Sequence, residues 1–213
     1  ATARYFRTGP GEYGEGDAFL GVSVPQQRQV ARKFQDLGPE DLHELLESPI
    51  HEHRLVALVI LVGIFKKSGL QARREWCEFY LVHLHRVNNW DLVDVSARDI
   101  LGEFLLHLDR SLLDALAASG HLWSQRVAIV ATQAFIRRGQ VSDTFRLAET
   151  YLTHPHDLIH KATGWMLREV GSKNEDALRE FLDEFAPRMP RTMLRYALEK
   201  LPEAERRAYL ARR

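Results

Sequence analysis

Apolar residues recur every three or four positions along most of the chain, which is the spacing of helices with one buried face. Short breaks containing Gly, Pro, Ser or Asn separate the periodic segments. The pattern predicts helices at residues 26–37, 39–46, 52–67, 71–86, 90–108, 111–118, 122–138, 142–153, 157–170, 175–185, 190–201 and 203–211. No run of alternating residues indicates a β-strand, so we predict an all-α fold.

The first 22 residues differ from the rest, since they hold five of the thirteen glycines. We predict that this stretch is loop, apart from a short helical start at residues 3–7. The predicted organisation is a single domain over residues 1–213, with a glycine-rich segment at 1–24 followed by helical repeats at 25–213.

Four segments share a pattern of polar and basic residues followed by an apolar face, namely HRLVALVIL at 53–61, VDVSARDIL at 93–101, QRVAIVATQ at 125–133 and HKATGWMLR at 160–168. In this register one equivalent position is held by Arg54, Asp94, Arg126 and Lys161. The period of 32 to 40 residues is typical of stacked helical pairs. We predict a curved α-solenoid whose concave face carries these four side chains. One alternative fold is a globular bundle. The alternative explanation of the register is that these four positions are solvated helix starts whose match arises by chance.

The stretch NNWDLVDVSARDIL at 88–101 concentrates the candidate chemistry. Asn88 and Asn89 are good helix N-caps, so a helix is expected to begin near Trp90. Trp90 and Asp94 are then one turn apart on one face. Asp91 points elsewhere and is expected to serve only the helix N-terminus.

Three other tryptophans need separate interpretations. Trp76 and Trp123 lie in apolar faces, and we predict that both are core residues. Trp165 instead shares a helical face with Lys161 and Arg168, where an indole can hold a cation or stack on a sugar or base.

Composition limits the possible classes of protein. With 213 residues, 45% of them hydrophobic, the chain can bury a core and is not a disordered protein. Lys plus Arg and Asp plus Glu number 29 each, so net charge does not predict a nucleic-acid partner. A basic surface must therefore come from basic residues that cluster in one part of the chain, as do Arg188, Arg191 and Arg195 near the C-terminal end.

Cys77 is the only cysteine, which excludes an intramolecular disulfide and a site of clustered thiolates. The longest apolar run, at residues 55–65, is too short to cross a bilayer, and no signal-peptide pattern is visible. We therefore expect a cytoplasmic protein with no membrane association.

The sequence resembles a known family, the HEAT-like repeat DNA glycosylases of the bacterial alkylpurine (AlkD-like) type. The matching segments are FLGVSVPQQRQ at 19–29, NNWDLVD at 88–94, LWSQRVAI at 122–129 and HKATGWMLREV at 160–170. The resemblance implies a HEAT-like solenoid in the bacterial cytosol that excises cationic N3- or N7-alkylated purines from double-stranded DNA, as a monomer.

The resemblance also implies roles for residues. Trp90, Asp94 and Trp165 would form the active-site cleft, Arg126 would contact the cleft or a phosphate, and Arg168 would contact the DNA backbone. The repeat register adds Arg54 and Lys161 as expected DNA contacts. The C-terminal cluster of basic residues adds Arg191 and Arg195. No metal and no cofactor are expected.

The expected chemistry suits these residue types. The glycosidic bond of an alkylated purine breaks with little need for a general acid, because the base already carries positive charge. Asp94 can stabilise the resulting oxocarbenium ion and orient water, while the two indoles hold cationic groups.

Two alternatives stay open. Residues 4–19 are glycine-rich where the family has a compact helix with aromatic residues, which would also fit a non-catalytic binder of damaged or branched DNA. The placement of Tyr5, Phe6 and Tyr13 would discriminate these two functions. A third class is a protein-binding scaffold that uses the same concave face.

Overall fold

The computed structural model describes residues 6–212, and it confirms the all-α fold. Helices in the first half are α1 (Val24–Lys33), α2 (Pro39–Glu47), α3 (His51–Lys67), α4 (Leu70–Val82), α5 (Trp90–Ser96) and α6 (Glu103–Leu105). Those in the second half are α7 (Ser111–Ala118), α8 (Leu122–Ala131), α9 (Gln133–Ile136), α10 (Ser142–Thr150), α11 (Asp157–Gly171), α12 (Glu175–Phe185), α13 (Arg191–Ala197) and α14 (Glu203–Ala211). Extended pairing within the described residues is limited to one bridge between Ala18 and Ile50.

The chain divides into two compact units, residues 1–104 and residues 105–213. The assignment of residues 1–213 to a single domain stays a prediction, as does the curvature of the repeats. Among the described residues, no helix is both long enough and apolar enough to cross a membrane.

Helix α3 forms the centre of the N-terminal unit, where α1, α2 and α5 pack against it. Its sequence HEHRLVALVILVGIFKK is apolar on nearly all sides, and Leu55, Leu58 and Leu61 are each at most 1% exposed. A helix that is apolar all round must be covered on several faces. Each fully buried leucine contributes roughly 1.5–3 kcal/mol, so α3 is a fixed base for its neighbours.

The predicted helix at residues 90–108 is broken in the structure. Helix α5 ends at Ser96, and a wider π-type turn over Arg98–Gly102 leads into α6. The Ser96 hydroxyl donates to the carbonyl of Leu92 at 2.6 Å, a side-chain bond that bends helices. The helix that carries Trp90 and Asp94 is therefore only two turns long.

The C-terminal unit is built on α11, against which α8, α12 and α13 pack. The predicted helix at 122–138 divides into α8 and α9 at Thr132, whose hydroxyl donates to the carbonyl of Ile129 at 2.7 Å. Gly164 lets α11 approach α13 closely, because a Cβ there would lie 2.4 Å from the carbonyl oxygen of Met193. The glycine beside Trp165 is therefore a packing requirement.

The described part of the glycine-rich segment is loop, as predicted, and α3 anchors it. The Ala18 amide donates to the carbonyl of Pro49, and the His51 amide donates to the carbonyl of Ala18. The Glu52 carboxylate accepts bonds from the backbone amides of Leu20 and Gly21 at 3.0 and 2.8 Å. Within the predicted helical start, residues 3–5 lie outside the described residues, and residues 6 and 7 are not helical.

Candidate functional site

Helix α5 begins at Trp90, as predicted, because Asn89 caps it. The Asn89 side-chain oxygen accepts a bond from the Trp90 amide at 2.9 Å. Trp90 and Asp94 are the first and fifth residues of the helix, and both are half-buried. Asp91 is buried, so Asp94 is the more accessible of the two acids in this helix.

Asp91 belongs to a buried charge network that the sequence did not reveal. Its carboxylate lies 2.8 Å from Nε2 of His51, and Nδ1 of His51 lies 3.4 Å from the carboxylate of Asp17. Burial by itself lowers the pKa of His51, but hydrogen bonds to Asp17 and Asp91 outweigh it and raise this pKa to about 9. Likewise, burial raises the pKa of Asp17, and bonds from His51 and Arg54 lower it overall.

Arg54 lies in this network and does not line an open face, which corrects the expectation that it contacts DNA directly. Its side chain is 1% exposed, and its guanidinium donates to the Asp17 carboxylate at 2.6 Å and to the carbonyl of Ser48 at 2.9 Å. Burial lowers the pKa of Arg54, while the charge of Asp17 opposes that shift. A guanidinium enclosed in this way has no surface left for a phosphate.

An aromatic stack covers one side of Trp90. The ring of Phe6 lies 5.4 Å from the Trp90 indole at an interplanar angle of 17°, and Phe6 also stacks on Phe19 at 5.0 Å. The His51 ring lies 4.8 Å from both phenylalanines. Of the discriminating residues, Phe6 thus packs on Trp90, whereas Tyr13 is half-buried and Tyr5 lies outside the described residues.

Beneath the second turn of α5, the Tyr80 hydroxyl and the Ser96 hydroxyl are 3.0 Å apart. Burial is the main cause that raises the pKa of Tyr80, and the negative charge of Asp94 adds to it, while the bond to Ser96 opposes it. The Cys77 thiol is buried, and burial together with the charge of Glu78 raises its pKa to about 12. Cys77 is therefore a packing residue with no nucleophilic role.

In the C-terminal unit the predicted residues fall into two groups. Arg126 is 5% exposed and donates to the carbonyl of Leu158 at 2.6 Å, so most of its side chain lies inside. Trp165 is half-buried, and Lys161 is half-exposed with its ammonium 2.9 Å from Asp157. Arg126 and Lys161 are each the fifth residue of their helix, as Asp94 is in α5.

The remaining predicted cations differ in exposure. Arg168 is half-buried and forms an ion pair with Glu199. Arg191 is exposed and donates to the carbonyl of Leu210 at 2.9 Å, and Arg195 is exposed on α13. Arg188 lies over the Phe185 ring at 4.9 Å. The exposed basic side chains among the predicted sites are thus at the C-terminal end.

The two predicted core tryptophans have different outcomes. Trp123 is buried at 6% exposure, which confirms the prediction. Trp76 is half-buried, and its ring lies at 78° to the Phe79 ring with 5.7 Å between their centroids, so the prediction holds only in part.

A family model and two solved structures resemble this chain. A family model described as DNA alkylation repair enzyme matches residues 1–201. A solved structure described as a predicted DNA alkylation repair enzyme from Enterococcus faecalis aligns with a TM-score of 0.70 at 17% identity, covering 95% of this chain and 93% of that one. The protein smu.31 from Streptococcus mutans UA159 aligns with a TM-score of 0.55 at 17% identity, covering 88% and 89%. No functionally curated protein matches the sequence significantly. At this identity the two structures show likeness of fold alone.

Proposed function

Because the chain belongs to the DNA alkylation repair enzyme family, we propose that it is a monofunctional DNA glycosylase. Its substrate is duplex DNA containing a cationic N3- or N7-alkylated purine. It hydrolyses the N-glycosidic bond of that nucleotide and acts as a monomer.

The observation that carries this proposal is the different placement of the two acids in α5. Asp91 is buried and engaged by His51, whereas Asp94 is half-buried on the same helical face as the half-buried Trp90. A carboxylate that stabilises a bound cation must be accessible to it. Asp94 meets that requirement, and an indole one turn away supplies a second surface for positive charge.

The proposed reaction conserves atoms and charge with only DNA and water as reactants. The bond from C1′ to the base nitrogen breaks, and its electron pair neutralises the cationic purine, which leaves as the free alkylated base. The sugar becomes an oxocarbenium ion that the negative charge of Asp94 stabilises. Water then adds to C1′, and its proton passes to solvent.

The buried network gives α5 a fixed position. His51 and Arg54 belong to α3, and through Asp91 and Asp17 they tie the first turn of α5 and the glycine-rich segment to that helix. Trp90, at the start of α5, is held by its cap and by the Phe6 ring. We propose that Asp17, His51, Arg54 and Asp91 are positioning residues for Trp90 and Asp94.

The C-terminal unit supplies the proposed contacts with DNA. Lys161, Arg191 and Arg195 retain exposed surface and are proposed to bind phosphates, and Arg168 would do so by exchanging Glu199 for a phosphate. Trp165 is half-buried and is proposed as a second aromatic contact. Arg126 is largely buried and is proposed to support the α11 backbone through Leu158.

A non-catalytic binder of damaged or branched DNA is the second candidate, and the Phe6 stack favours it. Phe6 covers one face of Trp90, so only the other face of this indole can meet a cationic base or sugar. A binder needs less access to Trp90 than a glycosylase does.

One pair of assays separates these functions. Release of 7-methylguanine from duplex DNA is measured under single-turnover conditions, alongside binding of the same duplex. The glycosylase predicts release by the wild type. Binding without release supports the second candidate, and the absence of both contradicts a DNA-directed function.

A further inference from the structure

A cluster of two histidines and one glutamate lies at the edge of the N-terminal unit, and the proposed excision does not use it. His43 and Glu47 are exposed on α2, and His83 follows the end of α4 and is 6% exposed. Their ligand atoms all lie within 4.8 Å of one another. We propose that His43, Glu47 and His83 form a binding site for one divalent transition-metal ion of the zinc class.

The spacing on α2 provides two of the ligands. His43 and Glu47 are four residues apart, so they lie on one face of the helix, one turn from each other. Nδ1 of His43 lies 2.9 Å from Nε2 of His83. Two imidazole nitrogens on a tetrahedral zinc ion are about 3.3 Å apart, since each Zn–N bond is about 2.0–2.1 Å. The rings therefore need to separate by only about 0.4 Å.

The hydrogen bonds of His83 prepare it for this role. Its Nδ1 lies 2.7 Å from the carbonyl oxygen of Phe79, which can only accept, so Nδ1 carries the proton. The lone pair of Nε2 then points towards His43. Metal-bound histidines commonly fix their tautomer by such a bond to a backbone carbonyl. In the structure, Nδ1 of His43 donates its proton to this lone pair. When a metal ion binds between the two nitrogens, His43 would carry its proton on Nε2 instead, and the ion would take the place of the Nδ1 proton.

Arg86 holds the two ligand-bearing segments together. Its guanidinium donates to the carbonyls of Leu46, Glu47 and Ser48 at 3.0, 3.0 and 2.8 Å, which joins the end of α2 to the turn after His83. The Glu47 carboxylate also has Arg86 at 3.5 Å and His85 at 3.1 Å beside it. A carboxylate has about four lone-pair positions, so Glu47 can keep a bond to either neighbour and still bind an ion.

The ligand set selects the class of ion. Two imidazoles and one carboxylate suit zinc and its neighbours in the transition series, whereas magnesium and calcium prefer oxygen ligands. Three protein ligands leave a fourth position for water. Because this ion would join α2 to the turn after α4, its expected effect is to stabilise the N-terminal unit.

The test uses untagged full-length protein that has been freed of metal with a chelator. Titration calorimetry with Zn²⁺ and visible absorption with Co²⁺ are measured for the wild type and for His43→Gln and Glu47→Gln, both at exposed positions. The matched control is His107→Gln, an exposed histidine of the C-terminal unit. Mg²⁺ serves as the hard-ion control.

The proposal predicts that the wild type and His107→Gln bind one Zn²⁺ and show the intense visible bands of four-coordinate Co²⁺. His43→Gln and Glu47→Gln each weaken Zn²⁺ binding by at least about 10-fold, the loss known for residues that only support metal ligands. Zn²⁺ raises the thermal midpoint of the wild type, and Mg²⁺ has no such effect. Absence of Zn²⁺ binding, or equal binding by the wild type and both ligand variants, would overturn the proposal.

Discussion

Nε2 of His51 lies 2.8 Å from the carboxylate of Asp91, so a buried ion pair joins α3 to the first turn of α5. The opposite nitrogen of His51 faces Asp17 at 3.4 Å. With a carboxylate on each side and only 2% of its side chain exposed, His51 is stabilised as the imidazolium. The position of Trp90 therefore depends on a titrating group.

The pH dependence of stability follows from the raised pKa of His51. Its pKa is about 9 in the folded chain, against an ordinary value of 6.5. The imidazolium thus contributes fully to stability below pH 6.5, and its contribution is lost as pH rises through about 9. We expect the free energy of unfolding, measured with urea, to fall by an amount on the order of 3 kcal/mol across this interval.

His51→Gln is the control for this effect, because glutamine cannot carry the charge. The variant should be less stable at pH 6 and should lose much less stability between pH 6.5 and 9. The same decline in both proteins would show that other groups cause it. At acid pH the lowered pKa of Asp17 acts in the opposite sense, and its contribution is lost as pH falls below its ordinary value of 3.8.

Asp91→Asn should destabilise the protein much more than Asp94→Asn does. Removing the charge of Asp91 leaves His51 buried beside a neutral amide, and breaking a buried pair costs about 3–5 kcal/mol. Asp94 is half-buried, so the same substitution there should cost much less, about 1 kcal/mol. Urea unfolding at pH 6 checks this, and equal losses would mean that the Asp91 pair contributes little.

The contrast between buried Asp91 and half-buried Asp94 shows which features the sequence could predict and which it could not. Helical periodicity predicted the helices, and the Asn89 cap correctly predicted the start of α5 at Trp90. The role of Asp91 was underestimated, because its partner His51 is 40 residues away and only the packing of α5 on α3 brings them together.

Arg54 and the aromatic stack illustrate the same limit. Helical periodicity correctly placed Arg54 near the start of a helix, but neither the periodicity nor the repeat register shows that Asp17 reaches back from a glycine-rich loop to bury it. Phe6 and Phe19 likewise lie in that loop, which has no periodicity from which a buried face could be predicted. The only feature of the sequence that pointed to these two residues was their aromatic character within a stretch otherwise rich in glycine.

The affinity for duplex DNA should fall steeply as the salt concentration rises. Each phosphate contact should contribute about −0.9 to the slope of log affinity against log salt concentration. Arg195→Ala, which removes an exposed cation, should make the slope shallower by about that amount. The matched control is Arg179→Ala, since Glu175 and Glu205 already neutralise that guanidinium. Fluorescence anisotropy at several salt concentrations measures the slopes, and a salt-independent affinity would contradict binding through phosphates.

Asp94 is the residue on which the proposed excision depends most. Asparagine has nearly the same shape and no charge, so Asp94→Asn removes the stabilisation of the oxocarbenium ion and leaves the packing almost unchanged. DNA affinity should be equal to that of the wild type or slightly higher, because one negative charge is lost from a surface that approaches phosphates. A loss of release in this variant would therefore reflect chemistry rather than binding.

The most direct measurement is the single-turnover rate of 7-methylguanine release from duplex DNA by Asp94→Asn and by the wild type, with each protein saturating the DNA. We predict that the wild type releases the base and that the variant is slower by roughly 10²-fold or more, the scale of losing one preorganised electrostatic group. Release by the variant at the wild-type rate would contradict the catalytic role of Asp94, and no release by the wild type would contradict the glycosylase itself.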